Sequence, residues 1–376
     1  MRRARAAFAL PFALPFALGA CGVRMTVGGG TRFEQVAATA TTVERALRAE
    51  GRAVASLPVG NGAIVLDVAP SVVRPLDATA TARERLRVGV ALQPSPRAAV
   101  QPSATFAWEQ GTTRASDLVG ESFEPRPAGT FVRSARLTGD VGGRWRRNGR
   151  HAMTALLGAE RNGGLGVDAA VLPMLTRASA RLSSEHRRDA RTSFSLIAGA
   201  DRVGLAGSPT WSTVALGASW ARRTTRRSSV GLDLGALAPF GGAGSGLAAR
   251  FAARIHRDAA GAVPSLDLSL GQGPELDRLD GSIRLRRRAE IGSETALVST
   301  VSIRGTLQGL FDAGASSRRT VGGQVVVKAG LGAIGEAELG VARLMLSSGS
   351  GAARGETRIT AGLRLPALGH RCRSSC

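Results

Sequence analysis

The stretch that most constrains this chain is Leu297–Phe311, LVSTVSIRGTLQGLF, because its residues separate into two faces when read two at a time. Leu297, Val301, Ile303, Leu307 and Phe311 share one parity with Gly305 and Gly309; Thr300, Ser302, Arg304, Thr306 and Gln308 share the other. A period of two is that of an extended strand with one oily and one polar side, and no helix fits it. The same grammar recurs from residue 130 to residue 365 in short segments broken by charged or glycine turns. Val230, Leu232 and Leu234 oppose Gly231, Asp233 and Gly235, and Leu266, Leu268 and Leu270 oppose Asp267 and Ser269. Leu247, Phe251 and Ile255 oppose Arg250, Arg254 and His256, and Ile359, Leu363 and Leu365 oppose Arg358, Thr360 and Arg364. The pattern is all-β, an antiparallel meander. Two architectures place charges at mid-strand: a closed up-and-down barrel with a wet lumen, and a soluble β-sandwich with a solvated face.

Turn chemistry sets the rhythm. Asn61, Asn148 and Asn162 are each followed by glycine, the pair favoured in tight hairpins because both central residues take positive φ. Downstream the turns read as arginine-rich: His186–Arg191, Arg222–Arg227, His256–Gly261, Arg286–Ala289 and Ser316–Arg319. Their spacing is roughly that of two ten-residue strands with their connections, which gives about 12 strands, within a range of about 10–16.

The earlier part is less regular. Phe33, Val36, Ala40, Val43 and Leu47 recur at helical spacing and predict a helix over 33–50, with first strands elsewhere in an irregular region 21–128. Leu86, Val88, Val90 and Leu92 alternate as a strand, while 109–128, poor in apolar residues and holding Pro125 and Pro127, reads as a long loop. The barrel-like meander is placed at 129–366, and 367–376 is a tail.

Formal net charge is +22, which raises nucleic acid as a partner. The basic residues are arginines apart from Lys328, and they are dispersed over turns and alternate strand positions without interleaved aromatics, so nucleic-acid binding is not expected. Gly330–Gly335, GLGAIG, matches a dinucleotide fingerprint, but too little chain follows it for a doubly wound domain; it reads as a glycine turn. No G-x-S-x-G elbow or HExxH spacing occurs, and His151, His186, His256 and His370 lie at turns or in the tail, so no enzyme, cofactor or metal site is expected. Asp117, Glu121 and Glu124 lack calcium-loop spacing. His370, Cys372 and Cys376 fall one ligand short of a zinc site; the two cysteines are candidates for a small disulfide.

Two resemblances follow. Arg2, Arg3 and Arg5, the apolar run to Gly19, and Leu18-Gly19-Ala20-Cys21 resemble the lipobox signal of bacterial lipoproteins. That resemblance implies cleavage of residues 1–20, acylation of Cys21 and anchorage in membrane lipid. The body resembles bacterial outer-membrane β-barrels in its alternation and short turns, which implies an even number of antiparallel strands, an outer-membrane address and a pore or structural envelope role. The alternative is a lipid-anchored soluble β module. Three departures stand out. Aromatic content is 4% with no tyrosine, and the last strand ends without an aromatic. Trp211 and Trp220 differ in parity, so both cannot face lipid on one unbulged strand. Arg343 shares parity with Leu339, Val341 and Met345, and a mid-bilayer arginine costs about 2–4 kcal/mol.

Overall fold

In the computed structural model the described residues are 24–38, 42–59, 62–76, 82–94, 98–114, 131–208, 210–240, 248–259, 263–276, 283–313, 318–348, 354–366 and 368–371. They form one antiparallel sheet of β1 (Arg24–Ala38), β2 (Thr42–Val59), β3 (Gly62–Pro75), β4 (Arg83–Gln93), β5 (Val100–Arg114), β6 (Phe131–Arg146), β7 (His151–Gly164), β8 (Leu175–Arg187), β9 (Thr192–Leu205) and β10 (Trp211–Arg223). It continues through β11 (Ser228–Phe240), β12 (Ala248–Arg257), β13 (Leu266–Leu276), β14 (Ile283–Val298), β15 (Val301–Ala313), β16 (Arg318–Gly330), β17 (Glu336–Ser348), β18 (Arg354–Arg364) and β19 (Leu368–Arg371). From β1 to β18 every strand pairs with its sequence neighbours, and β18 pairs back onto β1 from Gly30↔Arg364 to Ala38↔Glu356. The sheet is therefore closed. β19 continues the line of β18 along β1 at Val27↔Leu368: three steps on β1 face four on the other side, a bulge beside Pro366. The wall thus has 18 strand positions, not about 12, and the soluble sandwich is excluded by closure. A barrel begun at residue 129 leaves out β1–β5, which precede it and belong to the same wall.

Parity around the wall is consistent from strand to strand. The large apolar side chains exposed on the strands, among them Leu157, Leu196, Leu216, Leu307 and Val325, lie on the outward parity. So many exposed apolar side chains on one face would be untenable in water and are what a bilayer requires. Among the described residues no helix is long and apolar enough to cross a membrane.

Several local expectations change. The helix over 33–50 is instead β1 and β2: Phe33 and Leu47 face outward while Val36 is buried on the inside, so the apparent helical stripe lies on both faces of two strands. Leu297–Phe311 is not one strand; β14 ends at Val298, Ser299 and Thr300 turn, and β15 starts at Val301. Of the Asn-Gly pairs, Asn148 makes its hairpin, its side-chain oxygen accepting from the N–H groups of Arg150 (2.9 Å) and His151 (2.8 Å). Asn61 lies outside the described residues, between the paired Val59 and Gly62, whereas Asn162 and Gly163 lie within β7. Arg286–Ala289 is strand interior. Gly332 (φ 64°) and Gly335 (φ 130°) form the turn between β16 and β17, as the glycine-turn reading has it.

The two rims differ. One carries the start of β1, the end of β18 and connections such as 147–150, 188–191, 224–227 and 299–300. The other carries the longer connections, 115–130, 165–174 and 241–247 among them. Short turns and long loops mark the periplasmic and outer ends of bacterial barrels respectively.

Candidate functional site: the inner wall

The polar residues of each strand meet across the register on the inner wall. Arg52 of β2 grips Asp67 of β3 with two hydrogen bonds, 3.0 and 2.8 Å. Arg177 reaches Asp201 (2.7 Å), Arg136 reaches Glu160 (3.0 Å), Arg83 reaches Glu44 (3.0 Å) and Arg32 reaches Glu338 (3.3 Å). Arg85 pairs with Glu109. Arg286 and Asp312, 3.0 Å apart, form the most enclosed of these pairs, with both side chains buried. Alternation supplied the charges; pairing required other strands, adjacent for Arg52–Asp67 and next but one for Arg83–Glu44 and Arg32–Glu338.

Several inner-wall arginines have no carboxylate within ion-pair distance among the described residues. Arg181 stands between Leu156 and Gly199, Arg250 beside Gly235, and Arg254 between Gly231 and Ser269. Arg87 lies across from Glu109, which is taken by Arg85. Small flanking residues leave these guanidinium groups open to the lumen. On the other side, Asp140 accepts only from the Thr105 hydroxyl (3.2 Å), and Asp233 lies opposite Ala252. Near the short-turn rim a cavity of about 800 Å³ is lined by arginines and carboxylates together, among them Arg32, Arg52, Arg87, Glu50, Glu109 and Glu338.

The β6–β10 sector is different at its long-loop end. Leu175, Val203, Leu205 and Trp211 form a buried cluster on the inner side, and Leu172 of the 165–174 connection packs on Val132. That connection carries a 3-10 helix, Gly166–Ala170, and its Asp168 accepts from the N–H of Arg133 (2.8 Å). An oily inner mouth thus adjoins the charged barrel.

The structure sorts the sequence candidates. Cys21, Cys372, Cys376, Asp117, Glu121 and Glu124 lie outside the described residues. His370 is in β19, opposite Met25. His151 and His186, distant in sequence, face each other on the outer wall with ring centroids 4.4 Å apart, and His256 sits between Asp258 and Asp267 inside. No group of three or more metal-ligating side chains occurs among the described residues. Trp211 points inward and Trp220 outward, as their parities require. Trp145, Phe194 and Trp220 collect on the outer wall near the short-turn rim, so the few aromatics still make an arc of girdle. Arg343 does face outward, opposite Gly323. In the turn 188–191, the N–H groups of Arg191 (2.6 Å) and Thr192 (2.8 Å) donate to Asp189 and hold its carboxyl below the usual range, Arg191 contributing most.

Comparison with known proteins gives the class. No family model matches the chain, and no curated protein matches it. Among solved structures it is similar to OccK2 (OpdF) of Pseudomonas aeruginosa, with a TM-score of 0.52 and 12% identity over 92% of this chain and 98% of that one. It is similar to OpdQ of the same organism at TM-score 0.52 and 8% identity, covering 92% and 99%. OpdK with vanillate matches at TM-score 0.51 and 12% identity, covering 93% and 99%. The shared feature is the fold, a closed antiparallel up-and-down barrel of 18 strands.

Proposed function

We propose that this chain is a pore of the bacterial outer membrane that passes small anionic solutes, carboxylates in particular. It works as a channel and not as an enzyme. The observation that carries the reading is the set of inner-wall arginines without a carboxylate partner, Arg87, Arg181, Arg250 and Arg254, in a lumen whose other charges are mostly cross-strand pairs. Unpaired guanidinium groups in a confined polar channel concentrate counter-ions and offer bidentate hydrogen bonds to a carboxylate. An 18-stranded barrel is wide enough for an aqueous lumen. OpdK was solved with vanillate and OccK2 in complex with glucuronate, both carboxylates, which supports the same chemistry here. The oily outer wall supports a place in the membrane.

The test is conductance across a planar bilayer under a potassium chloride gradient. The reversal potential should report anion preference. Arg181→Gln/Arg250→Gln/Arg254→Gln should move it toward cation preference, and glucuronate should reduce the current through the parent channel. A cation-selective parent channel would refute the reading.

Anchorage through an acylated Cys21 belongs to the same proposal, supported by Leu18-Gly19-Ala20-Cys21 and by the start of β1 at Arg24 on the short-turn rim. Mass spectrometry of the mature N-terminus checks it. Cys372 and Cys376 are proposed to pair with each other; exchanging both for serine should leave folding intact.

A further inference from the structure

The outer wall toward the long-loop rim has an unbalanced charge. Arg133, Arg161, Arg202, Arg287, Arg319 and Arg343 all take outward positions there. Glu84 is the only acidic residue at an outward strand position among the described side chains. An arginine on the lipid face costs about 2–4 kcal/mol at mid-bilayer and about 0–1 kcal/mol near an interface. A belt of this kind therefore belongs at the headgroup level. With the long-loop rim outermost, those are headgroups of the outer leaflet.

Within the belt four residues stand in one row across neighbouring strands. Register places Gln272 opposite Arg287, Arg287 opposite Phe311, and Phe311 opposite Arg319. The backbones of the two arginines thus lie one strand away from that of Phe311 on either side, about 5 Å each. Nε of Arg287 donates to the side-chain oxygen of Gln272 (2.9 Å), which orients the guanidinium and leaves its outer nitrogens open. Arg319 has no ion pair among the described residues. The Phe311 ring lies over Gly309, close enough that a β-carbon there would meet it at 2.8 Å. The row thus holds two outward arginines with one aromatic residue on the strand between them.

We propose that Arg287, Phe311 and Arg319 form an outer-wall site for the phosphate-bearing headgroup of a lipid in the outer leaflet, with Gln272 positioning Arg287. The inference rests on the membrane-barrel reading above. Planar guanidinium groups bind phosphate oxygens two at a time, and two of them either side of one headgroup match a doubly charged phosphate. The ring covers the boundary between headgroup and acyl chain. Neutral headgroups would gain nothing from the arginines.

The test uses the full chain in phosphate-free alkyl maltoside micelles, titrated with a diphosphorylated glucosamine lipid or with the same lipid after phosphatase treatment. Bound lipid is read by native mass spectrometry. The phosphorylated lipid should bind in preference, less tightly as salt rises. Arg287→Gln and Arg319→Gln should each weaken it about fivefold, the ~1 kcal/mol expected of a basic residue at a charged headgroup. Arg287→Lys/Arg319→Lys should recover part of the loss, and the inner-wall change Arg181→Gln should leave lipid binding as it was. Equal binding of the two lipids, or a double Gln variant that binds like the parent, would overturn the site. A parent that binds the phosphorylated lipid but carries no current would sustain the site and count against the pore reading alone.

Discussion

Arg286 and Arg287 are adjacent in the chain and live in opposite worlds. Arg286 points inward, buried, with Asp312 at 3.0 Å; Arg287 points outward, exposed, with only the neutral Gln272 beside it. Nothing but strand parity separates them, and parity decides which solvent each guanidinium must satisfy. Inside, a charge taken from water demands a partner of opposite sign. Outside, it can extend toward the headgroup layer and meet whatever charge the membrane supplies.

The largest expected effect comes from breaking the inner member of this contrast. Arg286→Ala leaves Asp312 buried without its cation and should cost about 3–5 kcal/mol, whereas Arg286→Met/Asp312→Leu should recover most of that. Urea unfolding of the vesicle-inserted barrel, followed by heat-modifiable gel mobility, measures both. If the single and double changes cost the same, the pair is not what makes the inner position demanding.

Next in size is the same alternation on β15. Leu307, exposed on the outer wall, should lose about 2–4 kcal/mol when changed to arginine if it sits at mid-bilayer, while Gln308→Arg on the lumen side should change conductance more than stability. Cysteines placed singly from 301 to 311 should react alternately with lipid-soluble and water-soluble reagents. Uniform labelling would contradict the assigned faces.

Arg287→Gln sharpens the comparison from the other side. It should shift stability by less than about 1 kcal/mol, because an interfacial arginine is cheap to keep and cheap to remove. A cost near that of Arg286→Ala would show that Arg287 is held by protein contacts.

The smallest effect concerns the turn 188–191. Asp189 has its folded-state carboxyl lowered by donated N–H groups, so its stabilising contribution is present above the unfolded carboxylate range and fades as pH falls through the lower, folded value. Asp189→Ala should lower stability slightly at neutral pH and remove that part of the acid dependence. An unchanged acid limb would assign the pH response to other carboxylates.

What the residues revealed alone was whatever depends on a residue and its neighbours two places away. The two faces of 301–311, the outward position of Arg343, the opposite facing of Trp211 and Trp220, and the turn at Asn148 all follow from a period of two and from turn chemistry. The same local signals misled at 33–50, where a helical spacing of apolar residues straddles two strands, and at Asn162 and Arg286, where turn-like residues sit inside strands and face the lumen. There the tertiary environment outweighed local preference, because a wet interior accepts polar residues mid-strand. Strand number was beyond local reading, since closure depends on every strand being counted and on β18 meeting β1. So were the pairs Arg52–Asp67 and Arg286–Asp312 and the row of Gln272, Arg287, Phe311 and Arg319. Alternation says which face a side chain takes but carries no information on which strand lies alongside; register alone brings those distant residues together, and register is a property of the closed wall.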